Sequence, residues 1–188
     1  SFGIEENDLH QLCTFIGPPL KDSFREFYGF SNEQAEIALI KYREYFSKRG
    51  IFENQVYDGI PALLAQQKKS GRKLMLATSK PEIFARQILD YFNLSHYFSL
   101  GGATLDGKRS TKTDVIRYVL KSNKIDNPSD VIMIGDRKHD IEGAQANNIQ
   151  SIGVLYGYGS EKELYEAGAN IIVASVTHLQ NILNTVIC

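Results

Sequence analysis

The positions of apolar side chains divide this chain into two grammars. From Ile4 to about Glu53 they recur at three- and four-residue spacing, and no strand-like run interrupts them. "IEENDLHQLCTFIG" predicts a short amphipathic helix stopped by Gly17-Pro18-Pro19. "PLKDSFREFYGF" predicts a second helix with Leu20, Phe24 and Phe27 on one face. The third, "SNEQAEIALIKYREYFSKRG", has Ser31 or Asn32 as cap and Gly50 as stop. Its apolar stripe is Ala35, Ala38, Leu39, Tyr42 and Phe46.

After "YDGIP" the pattern changes. The continuous apolar runs "KLMLAT", "HYFSLGG", "DVIMIGD", "QSIGVLYG" and "NIIVAS" alternate with amphipathic segments, from "PALLAQQKKSG" to "VTHLQNILNTV". Runs without a polar face, separated by helices, predict a parallel sheet covered on both sides. The expected fold class is α/β, with a doubly wound, Rossmann-like core over residues 55–188. An all-helical subdomain over residues 1–54 precedes it. No internal repeat or low-complexity tract complicates this division.

Composition narrows the possibilities mainly by exclusion. At 188 residues, 43% hydrophobic and 23% charged, the chain matches an ordinary soluble protein and can bury a core without staples. A net charge of −1 offers no electrostatic footprint for nucleic acid or an anionic membrane. No apolar run is long enough to span a bilayer, and "SFGIEENDLH" lacks the regions of a signal peptide. Cys13 and Cys188 are too far apart in sequence to suggest a disulfide framework or metal-ligand spacing. They read as free thiols in a reducing compartment, with the cytoplasm as the expected location.

Chemistry concentrates where the apolar runs end, the end at which open parallel sheets bind ligands. "KLMLATSKP" releases Thr78, Ser79 and Lys80. "VIMIGDRKHD" releases Asp136 and Asp140, one helical turn apart. Lys112 opens the helix between them, where the dipole is already positive and a cation needs an anionic partner. Each has a plain structural explanation. Thr78 and Ser79 can cap the helix that follows Pro81, and Lys112 can be a solvated charge. Asp136 can be a cap and Asp140 an exposed first-turn acid, beside Arg137, Lys138 and His139. Taken together they fit one phosphate site instead. A hydroxyl and an amide can hold phosphoryl oxygens, and an ammonium can neutralise one. Paired carboxylates can hold Mg²⁺, a hard ion that prefers oxygen.

The order of these segments resembles the haloacid dehalogenase superfamily of phosphohydrolases, most closely its phosphoglycolate-phosphatase-like branch with a helical cap. "ATSKP" is similar to the second motif of that branch, Lys112 to the third and "GDRKHD" to the fourth. "IGPPL", "YDGIPALL" and "GVLYGYGSEKELYEAGAN" extend the likeness over essentially the whole chain. The resemblance implies a catalytic and phosphate-binding Thr78 with the Ser79 amide beside it, and a Lys112 that orients phosphate and nucleophile. It implies Mg²⁺ as cofactor at Asp136, with Asp140 completing or orienting its shell. Gly17, Pro18 and Pro19 would form a cap loop over the leaving group, with Lys21 and Arg25 as lesser candidates for substrate contacts. The implied substrate is a small phosphorylated metabolite, such as phosphoglycolate, a 5′-nucleotide or pyrophosphate.

The first motif of that family, Asp-x-Asp-x-Thr/Val, which carries the aspartate nucleophile, does not occur in the sequence. The expectation is that it lies on a strand upstream of residue 1, central in the sheet, without which the chain is inactive. The alternative is a non-catalytic relative that serves as a binding or interaction module. A response-regulator receiver uses similar groups but in another order and without a cap. A dinucleotide-binding fold is a weaker reading still: "GYGSEKE" lacks the third glycine of the fingerprint and falls late in the chain, without the expected acidic residue at the next strand end.

Overall fold

A computed structural model of the chain describes residues 2–8 and 12–185. Cys188 therefore lies outside the described residues, while Cys13 is a free, half-buried thiol. The chain forms two compact units that divide between Arg49 and Gly50. The turn Gly50–Phe52 belongs to the second unit because Ile51 is fully buried there, and the Phe52 ring packs 4.8 Å from that of Tyr91.

The first unit contains helices α1 (Leu20–Tyr28) and α2 (Asn32–Phe46). Gly29 closes α1 at φ 64, a left-handed conformation that glycine adopts without a Cβ clash. Ser31, rather than Asn32, caps α2: its hydroxyl accepts the Gln34 amide, and the Gln34 side chain accepts the Ser31 amide. The helix stops at Phe46, before Gly50. On α2, Ala35 and Ala38 are buried at 0% and 7% exposure. The aromatic cluster of this unit includes Phe15, Phe24, Tyr28 and Phe30. Phe27 contacts Phe15 but remains 36% exposed, and Ser23 takes the buried place on α1. Of the segment "IEENDLHQLCTFIG", residues 4–8 are irregular and Leu12–Cys13 are helical, while residues 9–11 lie outside the described residues.

In the second unit strands and helices alternate as the pattern requires. They are α3 (Ile60–Lys69), β1 (Leu74–Pro81), α4 (Glu82–Tyr91), β2 (Phe98–Ala103), α5 (Lys112–Ser122) and β3 (Ile132–Gly135). After these come α6 (Lys138–Gln145), β4 (Gln150–Val154), α7 (Glu161–Glu166), β5 (Ile171–Val173) and α8 (Val176–Thr185). Successive strand side chains serve opposite faces. Leu74 and Leu76 of β1 pack with Leu64 of α3 and Leu89 of α4, whereas Ala77 packs with Ile116 of α5 and Ala144 of α6. Likewise Ile132 joins the cluster of Leu63, Ile152, Val173, Leu179 and Leu183, and Met133 joins the α5–α6 side. All strand pairs are parallel.

The sheet is divided. β1 pairs with β2, and β3 pairs with β4, which pairs with β5, while β1 and β3 share no ladder. Burial follows the same break. In β4, Ser151 through Val154 are buried, but β1 is only half-buried from Leu74 to Ser79, and Ile134 in β3 is 38% exposed. The β1–β2 register is regular to the pair Thr78–Gly102 and then skips Ser79 and Lys80 before Pro81 meets Ala103. That irregularity lifts Ser79 and Lys80 out of the ladder at its carboxyl end.

Ile152 is 1% exposed at the centre of the cluster between β4, β5, α3 and α8. Replacing it by alanine is expected to lower unfolding free energy by about 2–5 kcal/mol in a denaturant titration. A loss below about 0.5 kcal/mol would contradict this packing.

Candidate active site

The strand ends define a local geometry around Lys112. Thr111 caps α5, its side chain accepting the Asp114 amide, so the helix starts with Lys112 at its positive end. The ammonium is turned inward. Nζ lies 2.7 Å from Asp140 Oδ1 and donates at 3.1 Å to the carbonyl of Ala77 on β1. The two charged side chains are 14% and 7% exposed, so neither is a solvated surface charge. Asp140 Oδ2 in turn accepts the Arg137 amide at 3.1 Å. A Cβ on Gly135 would overlap the Asp140 carboxylate, which explains why β3 ends in glycine. A Cβ on Gly143 would sit 3.0 Å from Lys112 Cγ, so this glycine permits α6 to lie close to the lysine stem.

Asp136 is held separately. Its Oδ2 accepts the Tyr158 amide at 2.8 Å, from the loop after β4. Cβ atoms on Gly157 or Gly159 would collide with the Asp136 side chain or carbonyl, so the loop follows this aspartate closely. Oδ1 of Asp136 makes no hydrogen bond or ion pair among the described residues. Among those residues no group of three or more His, Cys, Asp or Glu side chains could hold a metal ion. Two carboxylates suit Mg²⁺, which keeps several waters and takes remaining ligands from a substrate phosphate. Both oxygens of Asp140 have protein partners, whereas one oxygen of Asp136 has none among the described residues.

The structural explanations of these residues give way in turn. The residue capping α4 is Pro81, with no side-chain hydrogen bond, so neither Thr78 nor Ser79 caps that helix. Thr78 Oγ1 accepts the Lys80 amide at 3.1 Å within the irregular segment. Arg137, not Asp136, precedes α6, and Asp140 is buried rather than exposed. The flanking cations do not neutralise the aspartates: Arg137 pairs with Glu163 at 2.8 Å and His139 faces Glu142 at 3.6 Å. Burial works to raise the pKa of Glu163, but hydrogen bonds from Arg137 and the Lys138 amide prevail and hold it below the usual value. A shallow cleft of about 380 Å³ lies beside this Arg137–Glu163 pair, lined also by Ser160 and Lys162. It includes none of Thr78, Lys112, Asp136 or Asp140 and is not the site.

Two features had no sequence-based assignment. Lys80 is exposed, yet desolvation by the surrounding protein, and then the charge of Lys112, lower its pKa. Two mutually repelling ammonium groups near the end of β1 favour an anion there. The other feature is the Gly157-Tyr158-Gly159 loop around Asp136, which the sequence offered as part of the family likeness but without a role for its residues. Gly17 and Pro18 belong to the first unit, in the segment leading to α1, with Gly17 at φ 117. In that unit Lys21 pairs with Glu36 at 2.8 Å and Arg25 approaches Asp22 at 3.9 Å.

Comparison with known proteins agrees with this fold. A model of the haloacid dehalogenase-like hydrolases matches residues 1–154, and the chain belongs to that family as a phosphatase-like member. A Pseudomonas aeruginosa protein named 5′-nucleotidase is 42% identical over 184 residues, spanning 97% of this chain and 83% of its own length. Tyrosine-protein kinase PtkA of Mycobacterium tuberculosis is 36% identical over 175 residues, 93% of this chain but 58% of the kinase. The crystal structure of a predicted phosphatase from Clostridium acetobutylicum superposes with a TM-score of 0.94 at 53% identity, covering 97% of this chain and 85% of that one.

The Lys112–Asp140 pair yields a double-mutant prediction. Asp140→Ala leaves a largely buried ammonium without its counter-charge and is expected to cost about 3 kcal/mol. The combined Lys112→Met, Asp140→Leu variant should cost less than that single change in urea unfolding. An additive or larger loss in the pair would contradict the coupling.

Proposed function

We propose that the protein is a Mg²⁺-dependent phosphatase that hydrolyses a small phosphate monoester, of the phosphoglycolate or 5′-nucleotide kind, through an aspartyl-phosphate. The observation that carries this is Lys112, whose one ammonium touches the end of β1 beside Thr78 and the carboxylate that follows β3. A cation so placed, with a second lysine nearby, can neutralise phosphoryl oxygens as charge redistributes in the transition state. Thr78 and the Ser79 amide would donate to the same oxygens. Mg²⁺ bound at Asp136, with Asp140 orienting the site, would supply further neutralisation of the phosphoryl group. Gly17 and Pro18 are proposed as substrate contacts from the helical unit.

The nucleophile is proposed to be a carboxylate on a further strand, preceding residue 1, lodged between β1 and β3. The unpaired facing edges and the half-exposed residues of β1 and β3 support it, since buried backbone groups require partners. The carboxylate oxygen attacks phosphorus, the ester P–O bond breaks, and the leaving oxygen takes a proton. Water then attacks the acyl phosphate at phosphorus, releasing orthophosphate and restoring the carboxylate.

Phosphate release from a panel of monoesters by the full-length protein tests this reading. Asp136→Asn is expected to abolish Mg²⁺-dependent release with little loss of folding, and wild-type turnover in that variant would remove the metal assignment. Lys112→Ala should lower kcat by about 100-fold or more, as for a lost transition-state contact. A change confined to KM would make Lys112 a binding residue only. Mg²⁺-dependent binding of phosphate without any release would favour the non-catalytic binding module instead.

A further inference from the structure

An arginine outside the site described above grips the strand end that carries Thr78. Arg109 lies three residues before Lys112, on the segment between β2 and α5, and its side chain is 15% exposed. Its Nε donates at 2.5 Å to the carbonyl of Gly102, which faces Thr78 in the last regular pair of the β1–β2 ladder. Its Nη2 donates at 2.9 Å to Oε2 of Glu82, the residue after Pro81, where pairing resumes opposite Ala103. The guanidinium therefore holds both ends of the two-residue excursion of Ser79 and Lys80. It also stacks over the Tyr118 ring of α5, 3.6 Å from the ring centre. The Arg109 amide donates to Thr104 Oγ1 at 3.1 Å, and its carbonyl accepts the Thr104 amide at 3.0 Å, which pins the loop bearing the side chain. Gly102 leaves little slack, since a Cβ there would come within 2.8 Å of the Lys80 carbonyl and of Glu82 Cα.

Resting on the phosphatase reading above, we propose that Arg109 is a positioning residue for the phosphate site, acting through the backbone of Ser79 and Lys80. A break in a ladder leaves its residues without a sheet partner to fix where their amides point. A binding group serves its ligand only when held within about 0.5 Å of the productive geometry. A rigid planar fork that bonds a carbonyl at one end of the break and a carboxylate at the other sets that place. The same guanidinium rests on α5, whose first residue is Lys112. The Ser79 amide and the Lys112 ammonium are thus held against one reference. Arg86, one turn along α4, also approaches Glu82 at 3.7 Å, but it is 62% exposed and offers only a screened contact.

Calorimetric titration of the full-length protein with orthophosphate in the presence of Mg²⁺, and with Mg²⁺ alone, tests this role. Arg109→Lys keeps the charge but not the fork. It is expected to weaken phosphate binding about tenfold, the size of one lost hydrogen bond to a charged group, and to leave the Kd for Mg²⁺ alone unchanged. Glu82→Gln leaves Arg109 in place without its counter-charge and is expected to weaken phosphate in the same direction. Unchanged phosphate affinity in Arg109→Lys overturns the proposal, since the link would then serve folding alone. If the arginine variant does not fold, the same result in Glu82→Gln overturns it. Parallel loss of phosphate and Mg²⁺ affinity also overturns it, because a general loosening of the core would reach Asp136 as well. No orthophosphate binding by the unmodified protein sinks the phosphatase reading and the positioning role with it.

Discussion

The inward-turned ammonium of Lys112 is the constraint on which the rest of the site depends. A lysine at the first position of a helix meets the positive end of the dipole, and this one is also largely removed from water. Asp140 offsets that charge, and Gly135 is needed because the Asp140 carboxylate occupies the space its side chain would fill, while Gly143 lies close to the Lys112 stem. The carbonyl of Ala77 completes the arrangement from β1. A single side chain thus links the two parts of a divided sheet, and the strand ends carrying Thr78 and Asp136 are held in one neighbourhood.

Asp136 works under a different constraint. One oxygen is fixed by the Tyr158 amide, and the loop glycines pack against the side chain, leaving the other oxygen for a ligand. The two aspartates of "GDRKHD" are therefore unequal: Asp140 stabilises a buried cation, and Asp136 is preorganised but underused. Desolvation by the surrounding protein, and then the charge of Lys112, lowers the pKa of Lys80, so two ammonium groups stand near the end of β1 while the aspartates follow β3. A phosphate dianion with a bound cation would satisfy both.

Much of this was legible along the chain. Continuous apolar runs with helices between them located all the strands of the second unit, because a parallel strand covered on both faces leaves an unbroken hydrophobic record. Thr78, Lys112, Asp136 and Asp140 were legible as candidates because each falls at a strand or helix end. The resemblance already set Asp136 apart from Asp140, but the Arg137 and Tyr158 amides that hold the two carboxylates were not legible, since any residue type supplies an amide. Gly157 and Gly159 needed the contact with Asp136 to acquire meaning. The start of the first helix was not legible: "IEENDLHQLCTFIG" has helical spacing, but residues 4–8 hold an irregular path with Phe2 against Phe30. Side-chain packing at Phe2 accompanies an irregular start, and a short isolated turn of helix is costly to nucleate.

The central claim is that these strand ends form one joint site for a phosphate and a divalent cation. Its most direct test is a Mg²⁺ titration by calorimetry, with and without saturating orthophosphate. A shared site requires each ligand to tighten the other by the same factor, so phosphate should lower the Mg²⁺ Kd and Mg²⁺ the phosphate Kd equally. Mg²⁺ affinity that is indifferent to phosphate would contradict the account.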